Sequence, residues 1–386
     1  MLLLALSISS SSIGSVSGAS KTLGLVHLVN GQLVNDKGVA FYLNGLNYKD
    51  QFKYLLYEEK GAPDWAGINK DLATMASLGA NTVRIWFNWI YYESAPGQLN
   101  SQQLQYDIQR IVDIARQNHL YVILTIYDYH IWNNGKLVES WLQADSTTAK
   151  TNPDNATFWL NDGAYSAKQR ALFLNLWQAI SAKFKNEPVI VAYDLINEPY
   201  NKYYSQPPQW ARTPYPLKTL YDQIINRLRA AGDNHIVLLD YTWVYSADLI
   251  PLAAPSRDTQ ILYDVHMYYT APENSVQGWD VTSKALGPWN GKSLSGVQIA
   301  YTYPDSSSGH DRSAIAARFG ELRNVESKGY VFFIGEFGMT VNSNYNIDVA
   351  ALAKQSGFTG ASYFEYSPDE SIGSISTVTP ILAAGL

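Results

Sequence analysis

Two glutamates close apolar runs in this chain. "VIVAYDLINEPY" (Val189–Tyr200) begins as a buried strand and ends on Asn197, Glu198 and Pro199, and "FIGEFG" (Phe333–Gly338) presents Glu336 in the same way. A matched pair of carboxylates can break a glycosidic bond without metal or organic cofactor. One carboxyl protonates the leaving oxygen while the other stabilises or captures an oxocarbenium-like centre; a separation of about 5–5.5 Å gives a retaining reaction through a glycosyl-enzyme intermediate. The neighbours suit that chemistry. Arg84 in "NTVRIWF" and Tyr268 in "VHMYY" could hold Glu336 ionised, since a nearby cation or donor favours the charged form. Asn197 could hydrogen-bond a sugar 2-hydroxyl, a contact that strengthens in the transition state. Each residue also has a plainer reading. Glu198 could be a surface carboxylate, Arg84 part of a structural ion pair, and His266 a satisfied histidine beneath a loop. Metal ligation by His266 with Asp264 or Asp128 has no recognised ligand spacing.

These residues need elements that bring them together, and the chain shows a regular alternation. Strand-like runs are expected at Val39–Leu46, Asn81–Phe87, Tyr121–Tyr127, Val189–Ile196, His235–Asp240, Ile261–Val265, Tyr330–Ile334 and Gly360–Phe364. Helical patterns separate most of them: Trp65–Leu78, Ser101–Gln117 with Asn100 as N-cap, Ala167–Lys185, Leu217–Ala231, Ala247–Leu252, Ser313–Ser327 and Ile347–Gln355. Eight such units predict an α/β fold, a (β/α)8 TIM barrel whose strand ends share one face. An open doubly wound sheet is the rival, but no Gly-rich phosphate loop follows the first strand. Ahead of the barrel, Asn30-Gly31 marks a short N-terminal β-hairpin. Residues 128–165 and 270–312 are long and rich in Gly, Ser, Asn, Pro, Trp and Tyr, as expected of loops on the C-terminal face.

Composition narrows the partners. The 386 residues are 46% hydrophobic and carry a net charge of −6, with no basic run to meet a nucleic acid. Much of the 28 Tyr, 11 Trp and 12 Phe must be ordinary core, but a fraction is expected to be exposed, and exposed rings without a basic patch suit uncharged sugars. No cysteine is present, so neither disulfides nor thiol catalysis are available. The first 19 residues, a short apolar run followed by small polar residues with Ser17-Gly18-Ala19 as the cleavage site, read as a signal peptide, although they lack a positive n-region and a disordered Ser-rich tail is the alternative. That leaves residues 20–386 as one catalytic domain, secreted, away from membranes and monomeric. Asn155-Ala156-Thr157 would accept a glycan.

The spaced set Arg84, Asn197-Glu198-Pro199, His266-x-Tyr268 and Gly335-Glu336-Phe337 resembles glycoside hydrolase family 5, the cellulase and mannanase family of clan A, from about Gly31 to Phe364. The resemblance implies Glu198 as acid/base and Glu336 as nucleophile. It implies that Arg84 and Tyr268 orient the nucleophile while Asn197 and His266 line the cleaved subsite, with no cofactor and no metal. The expected activity is endo-β-1,4-glucanase on a polysaccharide or oligosaccharide. A β-mannanase or other β-glucan hydrolase is the alternative, and a carbohydrate-binding pseudo-enzyme a further one. Two positions depart from the family pattern. Tyr127 stands where a Leu-His pair usually ends the third strand, with His130 three residues on. Phe364 (or Tyr366) stands where the eighth strand usually presents a Trp. Tyr127, His130, Trp132, Trp243, Trp289 and Phe364 are the candidate sugar contacts.

Overall fold

Short, largely apolar strands and helices alternate along the chain, and the strands close into a barrel. The computed structural model describes residues 23–48, 63–88, 92–95, 98–127, 130–133, 136–139, 164–197, 216–240, 258–268, 293–294, 297–298, 312, 315–316, 319–320, 322–323, 329–338, 343–367 and 373–386. A hairpin comes first, β1 (Val26–Val29) with β2 (Gln32–Asn35). Asn30 and Gly31 both take positive φ, 50° and 77°, as a two-residue type I′ turn requires.

Eight staves follow: β3 (Leu43–Tyr48), β4 (Thr82–Asn88), β5 (Tyr121–Tyr127), β6 (Ile190–Asp194), β7 (Ile236–Leu239), β8 (Ile261–Tyr268), β9 (Phe332–Gly338) and β10 (Gly360–Phe364). Each pairs in parallel with the next, and β10 returns to β3, so the sheet is a closed barrel. This is the (β/α)8 architecture, and the open sheet is excluded. The principal helices are α1 (Trp65–Ser77), α2 (Ser101–Gln117), α3 (Ala164–Phe184), α4 (Pro216–Ala230), α5 (Ser343–Gln355) and α6 (Ile375–Gly385).

Two apolar layers hold the barrel. The larger lies between staves and helices. In α2 the 3.6-residue period places Leu104, Ile108, Ile111, Val112 and Ala115 on the buried face, and the Asn100 side chain accepts the Gln103 N–H at the helix start. The smaller layer fills the barrel itself with Leu43, Ile123, Ala192, Leu238, Leu262 and Phe333. Val26, Leu28 and Leu33 of the hairpin belong to this inner layer, so the hairpin plugs the end of the barrel. The Gln260 side-chain amide fastens it there, donating to the Leu28 carbonyl at 3.1 Å and accepting the Leu28 N–H at 2.8 Å.

Two differences from the sequence expectation stand out. The first stave starts four residues later than expected and runs on to Tyr48, through Gly45 and Asn47, poor strand formers that neighbours hold in place. The Ser362 side chain takes the space that a Cβ on Gly45 would need. The chain also ends in a helix, α6, whose Val378, Ile381 and Leu382 are buried. A Pro380 inside it and the absence of charge obscure its period in the sequence. The Ala247–Leu252 helix lies outside the described residues, as does most of Ser313–Ser327.

Candidate active site

Arg84 is the centre of the site. It sits in the middle of β4 with its side chain turned into the barrel, and it is fully buried. A guanidinium has five N–H donors in a fixed fork, and here all five are used. Nε donates to Asp194 Oδ2 at 2.9 Å. Nη1 donates to Asn47 Oδ1 at 2.9 Å and to Glu336 Oε1 at 2.8 Å. Nη2 donates to Asp194 Oδ2 at 2.6 Å and to Asn197 Oδ1 at 2.7 Å. Burial opposes the charge, but Asp194, Glu336 and Asp264 outweigh it and push the Arg84 pKa above its ordinary value.

Glu336 is 2% exposed, and each of its oxygens faces a basic group. Oε1 takes the Arg84 contact, while Oε2 lies 3.5 Å from His266 Nδ1. A slip in strand register is what aims this carboxylate. Between β8 and β9, Val265 pairs with Ile334 and the next residue, His266, pairs with Glu336, so Gly335 is an extra residue on β9. Phe333 faces the barrel interior and Ile334 the helix layer. Strict alternation would then send residue 336 outward, and the bulge returns it to the interior.

Gly335 must be glycine for a local reason. The Asp264 carboxylate from β8 packs where its Cβ would stand, and Asp264 Oδ1 accepts the Gly335 N–H at 2.6 Å. Burial raises the pKa of Asp264, but His266, Arg84 and that N–H together hold it below the ordinary carboxylate range. Asp194 behaves in the opposite way. Burial pushes it up, Arg84 pulls it down and the charge of Asp264 pushes again, leaving it at about 6.

Asn197 follows β6, and its N–H donates to the Ile126 carbonyl at 2.8 Å, so pairing with β5 continues past Asp194. Its Oδ1 is committed to Arg84, and among the described residues its buried Nδ2 has no hydrogen-bond partner. A donor is therefore the part of Asn197 available to a ligand hydroxyl. Phe364 ends β10 against Trp86, ring centroids 6.0 Å apart at 60°. The Trp86 indole N–H donates to Asn47 Oδ1 at 3.1 Å.

The structure thus gathers Arg84, Asn197, His266, Glu336 and Phe364 at one end of the barrel. Glu198, Trp243 and Trp289 lie outside the described residues, as do the side chains of Tyr127, His130, Trp132 and Tyr268, whose backbones lie in strands. Sequence reasoning misses Asn47, which links Arg84, Trp86 and the Gly335 carbonyl (2.8 Å from its Nδ2). It also misses Asp194, although that acid stands three residues before Asn197 in the same quoted run. Among the described residues no group of three His, Asp or Glu side chains is placed to hold a metal ion.

Comparison with known proteins adds an independent line. The family model described as Cellulase (glycosyl hydrolase family 5) matches residues 34–369. A β-xylosidase from Phanerodontia chrysosporium is 23% identical over 201 residues, which are 51% of this chain and 37% of that protein. Endoglucanase B from Clostridium cellulovorans is 21% identical over 285 residues, 70% of this chain and 53% of that protein. The chain therefore spans between a third and just over half of these curated relatives. A solved β-glucanase from Saccharophagus degradans superposes with a TM-score of 0.59 at 17% identity, covering 94% of both chains. A likeness at that identity speaks to the fold.

Proposed function

The chain belongs to the cellulase family, glycosyl hydrolase family 5, and from that premise we propose that it is a secreted, retaining endo-β-glycanase acting on β-1,4-glucan. One observation carries the reading. A single buried guanidinium grips the Glu336 carboxylate and the Asn197 amide at once, which ties Glu336 to the residue adjoining Glu198.

In this reading Glu336 is the nucleophile. An oxygen of its carboxylate attacks the anomeric carbon while Glu198 gives its proton to the departing glycosidic oxygen, and the C–O bond breaks. Glu198, now ionised, takes a proton from water, whose oxygen attacks the anomeric carbon and releases Glu336. Arg84 keeps Glu336 ionised and fixed in direction, and the Asn197 Nδ2 donates to the sugar 2-hydroxyl. Tyr268 is a second donor to the nucleophile. Phe364 takes the place of the family Trp beneath the cleaved sugar, and Tyr127, His130, Trp132, Trp243 and Trp289 contribute sugar contacts on the loops. The leader over residues 1–19 is the basis for proposing secretion.

Reducing-sugar release from carboxymethyl-cellulose tests the roles. It should vanish in Glu198→Gln and in Glu336→Gln, and near-normal turnover in either variant would remove the assignment. Parallel assays on mannan, xylan and β-1,3-glucan test the substrate. A clear preference for one of them would replace glucan in the proposal.

A further inference from the structure

The Glu336 neighbourhood is over-supplied with acid. Four buried carboxylates, those of Asp194, Asp240, Asp264 and Glu336, lie within ion-pair distance of Arg84 or His266, and among the described residues Arg84 is the one permanent cation that meets them. Both nitrogens of His266 face acids. Nδ1 lies 3.5 Å from Glu336 Oε2 on β9. Nε2 lies 3.6 Å from Asp264 Oδ2 on its own strand and 3.8 Å from Asp240 Oδ2 at the end of β7. Arg84 on β4 reaches this group through Asp264, at 3.5 Å, and Asp194 on β6 stands behind Arg84. An ionised carboxylate only accepts, so a neutral imidazole would leave one ring nitrogen lone pair against negative charge.

Asp264 is the residue that joins these parts. One oxygen holds the Gly335 N–H, the peptide just before Glu336, and the other faces both Arg84 and His266. We infer that Asp264 is a positioning residue for the nucleophile: it keeps His266 as an imidazolium, so that Glu336 is held by a cation on each oxygen. The lowered pKa of Asp264, held down against burial by His266, Arg84 and the Gly335 N–H, agrees with cationic neighbours. The inference rests on the glycanase reading for its catalytic consequence but not for its chemistry. With Arg84 on Oε1 and imidazolium on Oε2, the carboxylate stays ionised and cannot turn about its own bond.

The test uses the full-length protein with 15N-labelled histidine, reading ring protonation by two-bond proton–nitrogen correlation and assigning His266 with His266→Gln. In the unsubstituted protein at pH 7, His266 should carry protons on both nitrogens. In Asp264→Asn its titration midpoint should fall by about one unit or more. The variant should lose roughly tenfold in kcat at pH 7 with little change in KM. Because Asp264 acts through His266, Asp264→Asn/His266→Gln should be no slower than His266→Gln alone, within about twofold. A neutral His266 in the unsubstituted protein overturns the inference, and needs no variant to fold. So does an unchanged midpoint in Asp264→Asn, or penalties that multiply in the double variant. Full turnover in Glu336→Gln would instead sink the glycanase reading while leaving the imidazole measurement intact.

Discussion

Asp264 and Gly335 share one volume: the carboxylate of the first accepts the N–H of the second at 2.6 Å and fills the place its side chain would take. Gly335 cannot gain a side chain while the Asp264 carboxylate stands there. In Gly335→Ala the new methyl must displace a buried, ionised carboxylate or shift the β9 bulge that aims Glu336. Overpacking of this kind costs about 1–3 kcal/mol. Urea unfolding and turnover measured on the same preparation should both fall, and a variant as stable and active as the parent would contradict the packing described.

Arg84→Lys keeps the charge and loses the fork. Lysine offers three donors on a compact ammonium, against five bonds made here to four residues. Misplacement of a reacting group by about 1 Å costs on the order of 10²-fold in rate. We expect kcat to drop by about that factor with KM nearly unchanged, measured by steady-state kinetics on a soluble oligosaccharide. A larger change in KM than in kcat would mean that Arg84 serves substrate binding instead.

Asp194 makes a pH prediction whose sign is unusual for a carboxylate. Its pKa is raised from 3.8 to about 6 in the folded protein, so the folded state binds this proton more tightly than the unfolded chain. Its contribution to stability is therefore present at low pH and is lost as pH rises through about 6. Asp233 and Asp258 run the other way. Burial raises each, but hydrogen bonds from His235 and Arg229 respectively bring them below the ordinary value, so their stabilisation fades as pH falls below 3.8. In Asp194→Asn the slope of Tm against pH between 4 and 6 should become more positive. An unchanged slope would show that Asp194 stays ionised across that range.

The hairpin plug gives a prediction away from the chemistry. Gln260→Ala removes both hydrogen bonds to Leu28, each worth about 1 kcal/mol net. Hydrogen exchange at the Leu28 amide should quicken while kcat is unchanged. Slowed catalysis would mean that the plug influences the far end of the barrel.

Much of this fold can be read from sequence because its signals are local. Most staves are short apolar runs of ordinary length, and α2 shows its buried face and its Asn100 cap plainly. Arg84 and Glu336 stand out for the same reason, as charged residues inside apolar runs. What cannot be read is set by cross-strand neighbours. Asn47 looks like a strand breaker in "LNGLNY", yet it receives Arg84 and Trp86 and donates to Gly335 across the barrel. Asp264 looks like one polar residue in an alternating strand, and its role depends on a glycine 71 residues away. The register slip at Gly335 leaves no trace in a two-residue period, and the aim of Glu336 depends on it.

Barrel closure also has a consequence in time. Asn47 on the first stave hydrogen-bonds Gly335, 288 residues later, and Ser362, 315 residues later. At about 5–20 residues per second, a ribosome needs roughly a quarter of a minute to a minute to make the first of those partners. For most of that interval the emerging chain carries Arg84 with no Glu336 to meet it, beside a sheet whose two edges are still open. Open strand edges are templates for wrong pairing, and a chain released before the ninth strand leaves Arg84 without its Glu336 partner.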